Sequence, residues 1–313
     1  MTPVRIAVVG AGQFGKNHMR VIRSLDRAKL VAVVDVDADR AAAAAAQFEC
    51  DAVTDLASLA GRIDAAIVAV PTTMHAGIGC RLLEMGIDVL IEKPIAPSLE
   101  DARRIIAAAN GRIVQVGHLE QFNPAIQALR RMVTVPLFFE VHRLSLFTPR
   151  SLDVDVVLDL MIHDLDVLLA LTGKMPEEIR AAGISILSRK VDIANVRLAF
   201  PGGCIANLTA SRVSTEQVRK LRLFQPHQYV SLDYSKQEIA VFAVSASRQI
   251  GFVPTPVEKQ EPLRLELESF LECVISRSEP LVTAWKATLA LQVSLEILAK
   301  IEEHSRIVAQ SLQ

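Results

Sequence analysis

The sequence predicts an α/β protein: an N-terminal doubly wound parallel sheet, then a C-terminal α+β domain on a largely antiparallel, open sheet. Three observations predict it. Buried-strand runs alternate with amphipathic helical stretches through residues 1–117, the pattern of a parallel sheet with helices on both faces. A glycine turn, Gly10-Ala11-Gly12-Gln13-Phe14-Gly15, joins the first of these strands to the first helix. Beyond Pro136, extended segments succeed one another, with a hairpin signal at Pro201-Gly202-Gly203, before two helices close the chain.

The first strand spans Val4 to Val9 and the helix after the turn runs through about Leu25. Gly10 permits the tight turn, Gly12 lets the backbone approach a pyrophosphate, and Gly15 allows helix and strand to pack closely. The amides of Gln13 and Phe14 open the helix, with its dipole behind them, and face the phosphates. A second strand, Leu30 to Val34, ends in Asp35, twenty residues beyond Gly15. A carboxylate there accepts hydrogen bonds from a ribose diol and repels a 2′-phosphate, so the cofactor expected of this Rossmann fingerprint is NAD rather than NADP.

The remaining elements of the first domain follow in order. Asp39 to Phe48 is an alanine-rich helix, alanine being the strongest helix former. Ala65 to Val70 is a central strand whose following turn, Pro71-Thr72-Thr73-Met74-His75, faces the cofactor crevice. Thr72 serves a ribose or phosphate, with the cap of the next helix as the competing role for Thr72 or Thr73; His75 has a structural or cofactor-contact role. Ile87 to Ile91 is a buried strand that delivers Glu92-Lys93-Pro94 to the carboxyl edge of the sheet, where ligands bind in such folds. A lysine held there can stabilise charge developing on a substrate oxygen. Ser98 with Asp101 resembles a capping box with Asp in place of Glu. A last strand, Ile113 to Gly117, closes the domain, giving expected domains of 1–117 and 118–313.

Composition narrows the function classes. A length of 313 residues suits two domains, and 51% hydrophobic residues suffice for real cores. A net charge of −1 gives no general electrostatic reason to expect nucleic acid or an anionic membrane as partner. No apolar run reaches the length of a membrane span. The chain enters its first strand directly, so no signal peptide is expected, and Cys50, Cys80, Cys204 and Cys273 form no paired motif. Reduced core thiols in a cytoplasmic protein without structural zinc are the expectation.

In the second half, a helix over Phe122 to Met132 is entered through Asn123-Pro124, and Pro136 to Phe147 is a long strand. Extended segments follow at Ile179–Leu187, Asp192–Phe200, Cys204–Arg212, Leu221–Phe224 and Tyr229–Tyr234; helices at about Leu263–Ser276 and Trp285–His304 end the chain. An uncovered sheet face makes a homodimer or homotetramer through this sheet the expectation. Between the strands, Asp155 to Leu171 reads as one apolar helix ending at Gly173. Asp159 and His163, four apart, share a helical face, with Asp166 near the same stripe. An acid–histidine pair among Leu158, Met161, Ile162, Leu165 and Leu168 needs partners, supplied by a substrate cleft or by a local hydrogen-bond network. A metal would need a second ligand cluster, and the sequence shows none.

The glycine loop, Glu92-Lys93-Pro94, and Asp159 with His163 together resemble the Gfo/Idh/MocA oxidoreductase family over essentially the whole chain. The resemblance implies a nicotinamide-dependent sugar or cyclitol dehydrogenase with Lys93 and His163 at the reacting carbon and Glu92 near the nicotinamide ribose. Gly117–Pro124, Asp192–Arg197 and Asn207–Arg212 resemble, more narrowly, bacterial UDP-N-acetylglucosamine 3-dehydrogenases, which make a 3-keto nucleotide sugar on the way to a 3-amino sugar for lipid A. On that reading His163 is the general base, Asp159 orients its ring, and Lys93 as ammonium steadies the alkoxide; neutral Lys93 as the base is the alternative. A nucleotide-sugar substrate also needs cations for its diphosphate. Arg143, Arg150, Arg212, Arg219 and Lys220 are candidates, with ordinary surface charge as the competing role, and Asn123 is a further cleft candidate. Oxidation of another sugar or cyclitol, NAD-using glycosidase chemistry, and non-enzymatic dinucleotide sensing are the other readings.

Overall fold

The structure is a computed structural model and describes residues 2–147, 154–245 and 247–311, the side chains of 308 and 311 excepted. Strand β1 (Val4–Val9) leads through α1 (Gln13–Ile22) to β2 (Ala28–Val34), α2 (Ala38–Phe48) and β3 (Asp51–Val53). The chain then adds β4 (Ala65–Val68), α3 (His75–Glu84), β5 (Asp88–Glu92), α4 (Leu99–Ala108) and β6 (Val114–Gly117). All six strands pair in parallel, in the order β3-β2-β1-β4-β5-β6. Strand order therefore reverses between β1 and β4, the switch point at which such sheets open a ligand crevice. Central strands are apolar on both faces because helices cover both: Ile6, Ala7, Val8 and Val9 are buried, as are Ala65 through Val68. Local chemistry sets the helix starts. Asp37 accepts from the amides of Asp39 and Arg40 at 3.1 and 3.0 Å to cap α2. Ser98 accepts from the Asp101 amide at 3.1 Å and donates to its carboxylate at 3.0 Å, so the expected box closes through the hydroxyl.

The expected single boundary at Gly117 is corrected. Residues Met1–Leu119 and Glu261–Thr288 form one unit, and Glu120–Gln260 with Leu289–Gln313 the other. The cause is α7 (Pro262–Ser276), whose Leu267, Phe270, Leu271, Cys273 and Val274 complete the core around Val4, Ile6, Val8 and Ile22. Thr283 also bridges Gln115 of β6.

The second unit begins with α5 (Pro124–Met132) and β7 (Phe138–Leu146). A π-helical turn over Val157–Met161 runs into α6 (Ile162–Thr172), so the single helix expected over Asp155–Leu171 is interrupted at its start. Then come β8 (Glu178–Ile184), β9 (Ile193–Ala199), β10 (Ile205–Ser214), β11 (Val218–Gln225), β12 (Gln228–Asp233), β13 (Glu238–Val244) and β14 (Ile250–Val253), with α8 (Ala284–Ser311) last. The eight strands lie in the order β14-β13-β12-β11-β7-β10-β9-β8, antiparallel except where β10 meets β7. Alternate residues such as Phe139, Val141, Leu208, Leu221 and Val230 pack against Ile126, Leu129, Leu165 and Val293 of the helices. On the other face Phe138, Phe224, Tyr229, Phe242 and Phe252 form a row of rings with centroids 4.9–6.0 Å apart.

Candidate active site

The glycine turn is shaped by steric necessity at two positions and by access at the third. Gly10 has φ 107°, and a Cβ there would lie 2.3 Å from the Ala69 carbonyl oxygen. A Cβ on Gly15 would lie 1.8 Å from the Gly10 oxygen, so only glycine lets α1 sit this close to β1. Gly12 meets nothing within 4 Å, and as N-cap of α1 it offers no side chain to the first-turn amides. Those amides have no side-chain cap, and Gln13 and Phe14 beside them are exposed, which leaves room for an anion at the helix start.

Asp35 stands at the carboxyl end of β2. One oxygen accepts from the Ala11 amide at 2.9 Å; the other accepts from the Asp37 amide at 3.0 Å and from Arg40 at 2.9 Å. Burial pushes its pKa up, but the two amides and the Arg40 guanidinium outweigh burial and hold it below the usual carboxylate range. The acid is thus ionised and held in place at the carboxyl end of β2. Asp35→Ser should raise the NADP-to-NAD ratio of kcat/KM by about tenfold or more, because repulsion goes and Arg40 is released toward a 2′-phosphate. Initial rates with the two cofactors check this.

Pro71 opens a 3₁₀ turn over Thr72–Met74. Met74, with no side-chain bond, stands at the N-cap of α3, so capping by Thr72 or Thr73 is not realised. His75 is buried and its ring nitrogens lie 2.9 Å from the carbonyl oxygens of Pro94 and Val70. Burial, opposed by those carbonyls, lowers its pKa. The imidazole ties the Glu92-Lys93-Pro94 loop, whose Lys93-Pro94 peptide is cis, to the end of β4.

Glu92 is held from the other side by a residue that sequence reading missed. His18 Nε2 lies 2.7 Å from Glu92 Oε1. The available signal was an imidazole on the buried face of α1, which must find a polar partner. Gly117 leaves room for this carboxylate, since a Cβ there would lie 3.1 Å from Oε2. Burial works against ionisation of Glu92, yet the His18 bond and the charges of His18 and Lys93 keep its pKa lowered. In the same unit Glu266 is buried, and burial plus the Glu92 charge push its pKa well up. A raised folded-state pKa means stability is complete below the unfolded carboxyl value of about 4.3 and declines as pH rises above it. Glu266→Gln should therefore flatten the fall in melting temperature between about pH 5 and about pH 8 relative to the parent. Thermal melts across that range test it; parallel slopes would refute it.

In the second unit Asp159 lies within the π turn and His163 in the first turn of α6, both half-buried. Such turns recur at functional sites because they re-aim side chains out of the regular stripe. Asp166, expected on the same stripe, is instead buried, with Gln121 donating to its carboxylate and carbonyl. Among the diphosphate candidates, Arg143 is corrected. Its Nε and Nη2 donate to Asp164 at 2.7 and 2.8 Å, Nη1 donates to Glu120 at 3.0 Å, and Cζ lies 5.0 Å from the Tyr234 ring centroid. Burial would lower its pKa, but the two carboxylates raise it well above the usual value. Its donors are committed to the fold. Asn123 is likewise an N-cap: it accepts from the Ala125 amide at 3.1 Å and donates to Glu120 and the Tyr234 carbonyl. Arg212 is buried, donates to the Val154 carbonyl and lies 3.8 Å from Asp192. Lys220 is exposed on β11, and Arg150 lies outside the described residues. Among the described residues no group of three or more His, Cys, Asp or Glu is placed to hold a metal ion, and no helix is long and apolar enough to cross a membrane.

A Rossmann sheet with an open glycine turn and a fixed acid at the end of β2 is the arrangement of an NAD-dependent dehydrogenase, the class that acts on a CH–OH group. The chain belongs to the Gfo/Idh/MocA oxidoreductase family. The family's NAD-binding Rossmann fold matches residues 4–118 and its C-terminal domain residues 137–225. The chain is 32% identical over 314 aligned residues to UDP-N-acetylglucosamine 3-dehydrogenase of Acidithiobacillus ferrooxidans, covering 96% of this chain and 98% of that one. A crystal structure of that enzyme superposes with a TM-score of 0.90, covering 97% of this chain and 99% of that chain. The NAD-dependent scyllo-inositol 2-dehydrogenase of Bacillus subtilis is 26% identical over 93% of this chain and 92% of its own. The aldose-aldose oxidoreductase of Caulobacter crescentus shares the fold, with a TM-score of 0.83 at 21% identity over 96% of this chain and 98% of that chain.

Proposed function

We propose that this protein oxidises the 3-hydroxyl of UDP-N-acetylglucosamine to a 3-keto nucleotide sugar, in the cytoplasm, on a route to the 3-amino sugar of lipid A. The observation that carries the reading is the end-to-end 32% identity with a UDP-N-acetylglucosamine 3-dehydrogenase in a chain that has Lys93, Asp159 and His163. NAD, when bound, accepts the hydride from the sugar carbon. Gly10, Gly12, Gln13, Phe14 and Gly15 would hold its pyrophosphate, Asp35 a ribose diol, and Pro71, Thr72 and Glu92 the crevice around it. His163 takes the hydroxyl proton, Asp159 orients the imidazole and steadies its cation, and the Lys93 ammonium stabilises alkoxide character on the sugar oxygen.

The test is NADH formation by the purified protein with NAD and UDP-N-acetylglucosamine, with an aminotransferase and amine donor trapping the ketone. NADH with a 3-amino product supports the reading; NAD binding without turnover of this sugar rejects it. Oxidation of a free sugar or cyclitol is the second reading, favoured by the end-to-end similarity to a scyllo-inositol dehydrogenase, and turnover independent of a diphosphate would establish it.

The open sheet face also supports self-association as a homodimer or homotetramer. Its aromatic row leaves Phe252 and Ile250 exposed, apolar area of the kind that soluble chains bury against a partner. Phe242→Glu should shift the sedimentation coefficient toward monomer; an unchanged oligomer would place the contact elsewhere.

A further inference from the structure

Among the described residues, Arg219 is the one candidate cation whose side chain the fold shields without pairing. It sits near the start of β11, directly opposite Arg143 of β7 in antiparallel register. Leu221 and Leu223, two and four residues on, point into the core beneath the helices, so Arg219 shares that face with Arg143. Its neighbour's charge is already met by Asp164 and Glu120. The Arg219 side chain makes no hydrogen bond or ion pair among the described residues, although the residue is half-buried and its Nε is screened from water. Buried cations in folded proteins are paired, because an unpaired one loses its hydration without compensation. Burial, followed by the adjacent Arg143 charge, lowers its pKa, whereas Glu120 and Asp164 act the other way. Both the shielding and the like-charge neighbour would be relieved by an anion.

The position is close to the chemistry within its own unit. Arg143 holds Asp164 through two parallel bonds, and Asp164 follows His163 directly on α6. Among the described residues the competing cations are otherwise engaged or face away: Arg212 is tied to Val154 and Asp192, and Lys220 points to the opposite face of β11. We propose that Arg219 is the substrate-binding cation that receives a phosphate oxygen of a nucleoside diphosphate, with Arg143 acting as a buttress rather than a ligand. This rests on the nucleotide-sugar reading above. A guanidinium presenting Nε and Nη side by side matches two phosphate oxygens, a geometry that lysine cannot reproduce.

The experiment measures UDP affinity by calorimetry, the KM for UDP-N-acetylglucosamine, NAD affinity and melting temperature, for the parent, Arg219→Gln and Arg219→Lys. Loss of a charge-assisted bidentate contact should weaken UDP binding and raise KM about tenfold to a hundredfold in Arg219→Gln, and less in Arg219→Lys. NAD affinity should hold, and the melting temperature should stay level or rise, since an unpaired half-buried charge is removed. Parent-level UDP affinity and KM in Arg219→Gln would overturn the assignment while leaving the nucleotide-sugar reading intact. A lowered melting temperature with unchanged UDP affinity would also overturn it, in favour of a structural role. Failure of the parent protein to bind UDP or to oxidise its sugar conjugate would remove both.

Discussion

Lys93→Ala and His163→Ala should each lower kcat by about 10²–10⁴-fold while leaving the NAD dissociation constant nearly unchanged. The two sets of groups are physically separable. On the proposed reading the cofactor is gripped through backbone amides at Gly12 to Phe14 and through Asp35, whose carboxylate is fixed by Ala11, Asp37 and Arg40. Neither substitution touches those contacts. His163→Ala removes the proposed proton acceptor, and Lys93→Ala removes the cation that stabilises the developing alkoxide. Asp159→Asn should fall between the parent and His163→Ala, because the imidazole stays but loses the charge that steadies its protonated form. Stopped-flow measurement of NADH formation alongside fluorescence titration of NAD checks all three. Wild-type kcat in both alanine variants would end the assignment of these roles; loss of NAD binding in either would show a structural effect instead.

The elements that could be read in advance are those with one dominant signal. β1, β4 and β5 are continuous apolar runs because helices cover both faces of the sheet, and Ser98 marks a helix start by chemistry that acts within a few residues; Asp37, which caps α2, lies two residues before the start expected at Asp39. Where several weak signals competed, the reading stopped short. β3 has only three residues, two of them exposed, and every residue of β14 is exposed, so neither shows a buried run. The return of α7 to the first unit leaves no local trace, since an apolar helix face does not say which core it fills. The π turn at Val157–Met161 has the composition of the helix it interrupts. In the candidate site, residue types were legible and their partners were not. His18 finds Glu92 across 74 positions, and Arg143 finds Glu120 and Asp164 across 23 and 21. Charge on a strand reads as surface or ligand until the tertiary fold supplies the opposing carboxylates.

Arg143 provides the sharpest case of that ambiguity and the largest expected loss of stability. Arg143→Ala should destabilise the protein by about 3–5 kcal/mol, because it leaves Asp164 and Glu120 buried without their cation. Loss of packing against the Tyr234 ring adds to that cost, since the guanidinium lies over its face. A phosphate-binding arginine would behave in the opposite manner: its removal would leave the melting temperature level and raise KM for the nucleotide sugar. Arg143→Met combined with Glu120→Gln and Asp164→Asn separates charge from volume. Neutralising both acids together with the arginine should recover part of the stability lost in Arg143→Ala, because no unpaired buried charge is left. Chemical denaturation of the parent, the single variant and the triple variant measures the difference. A single variant as stable as the parent would show that the buried cluster contributes little to folding and would return Arg143 to the list of possible substrate ligands.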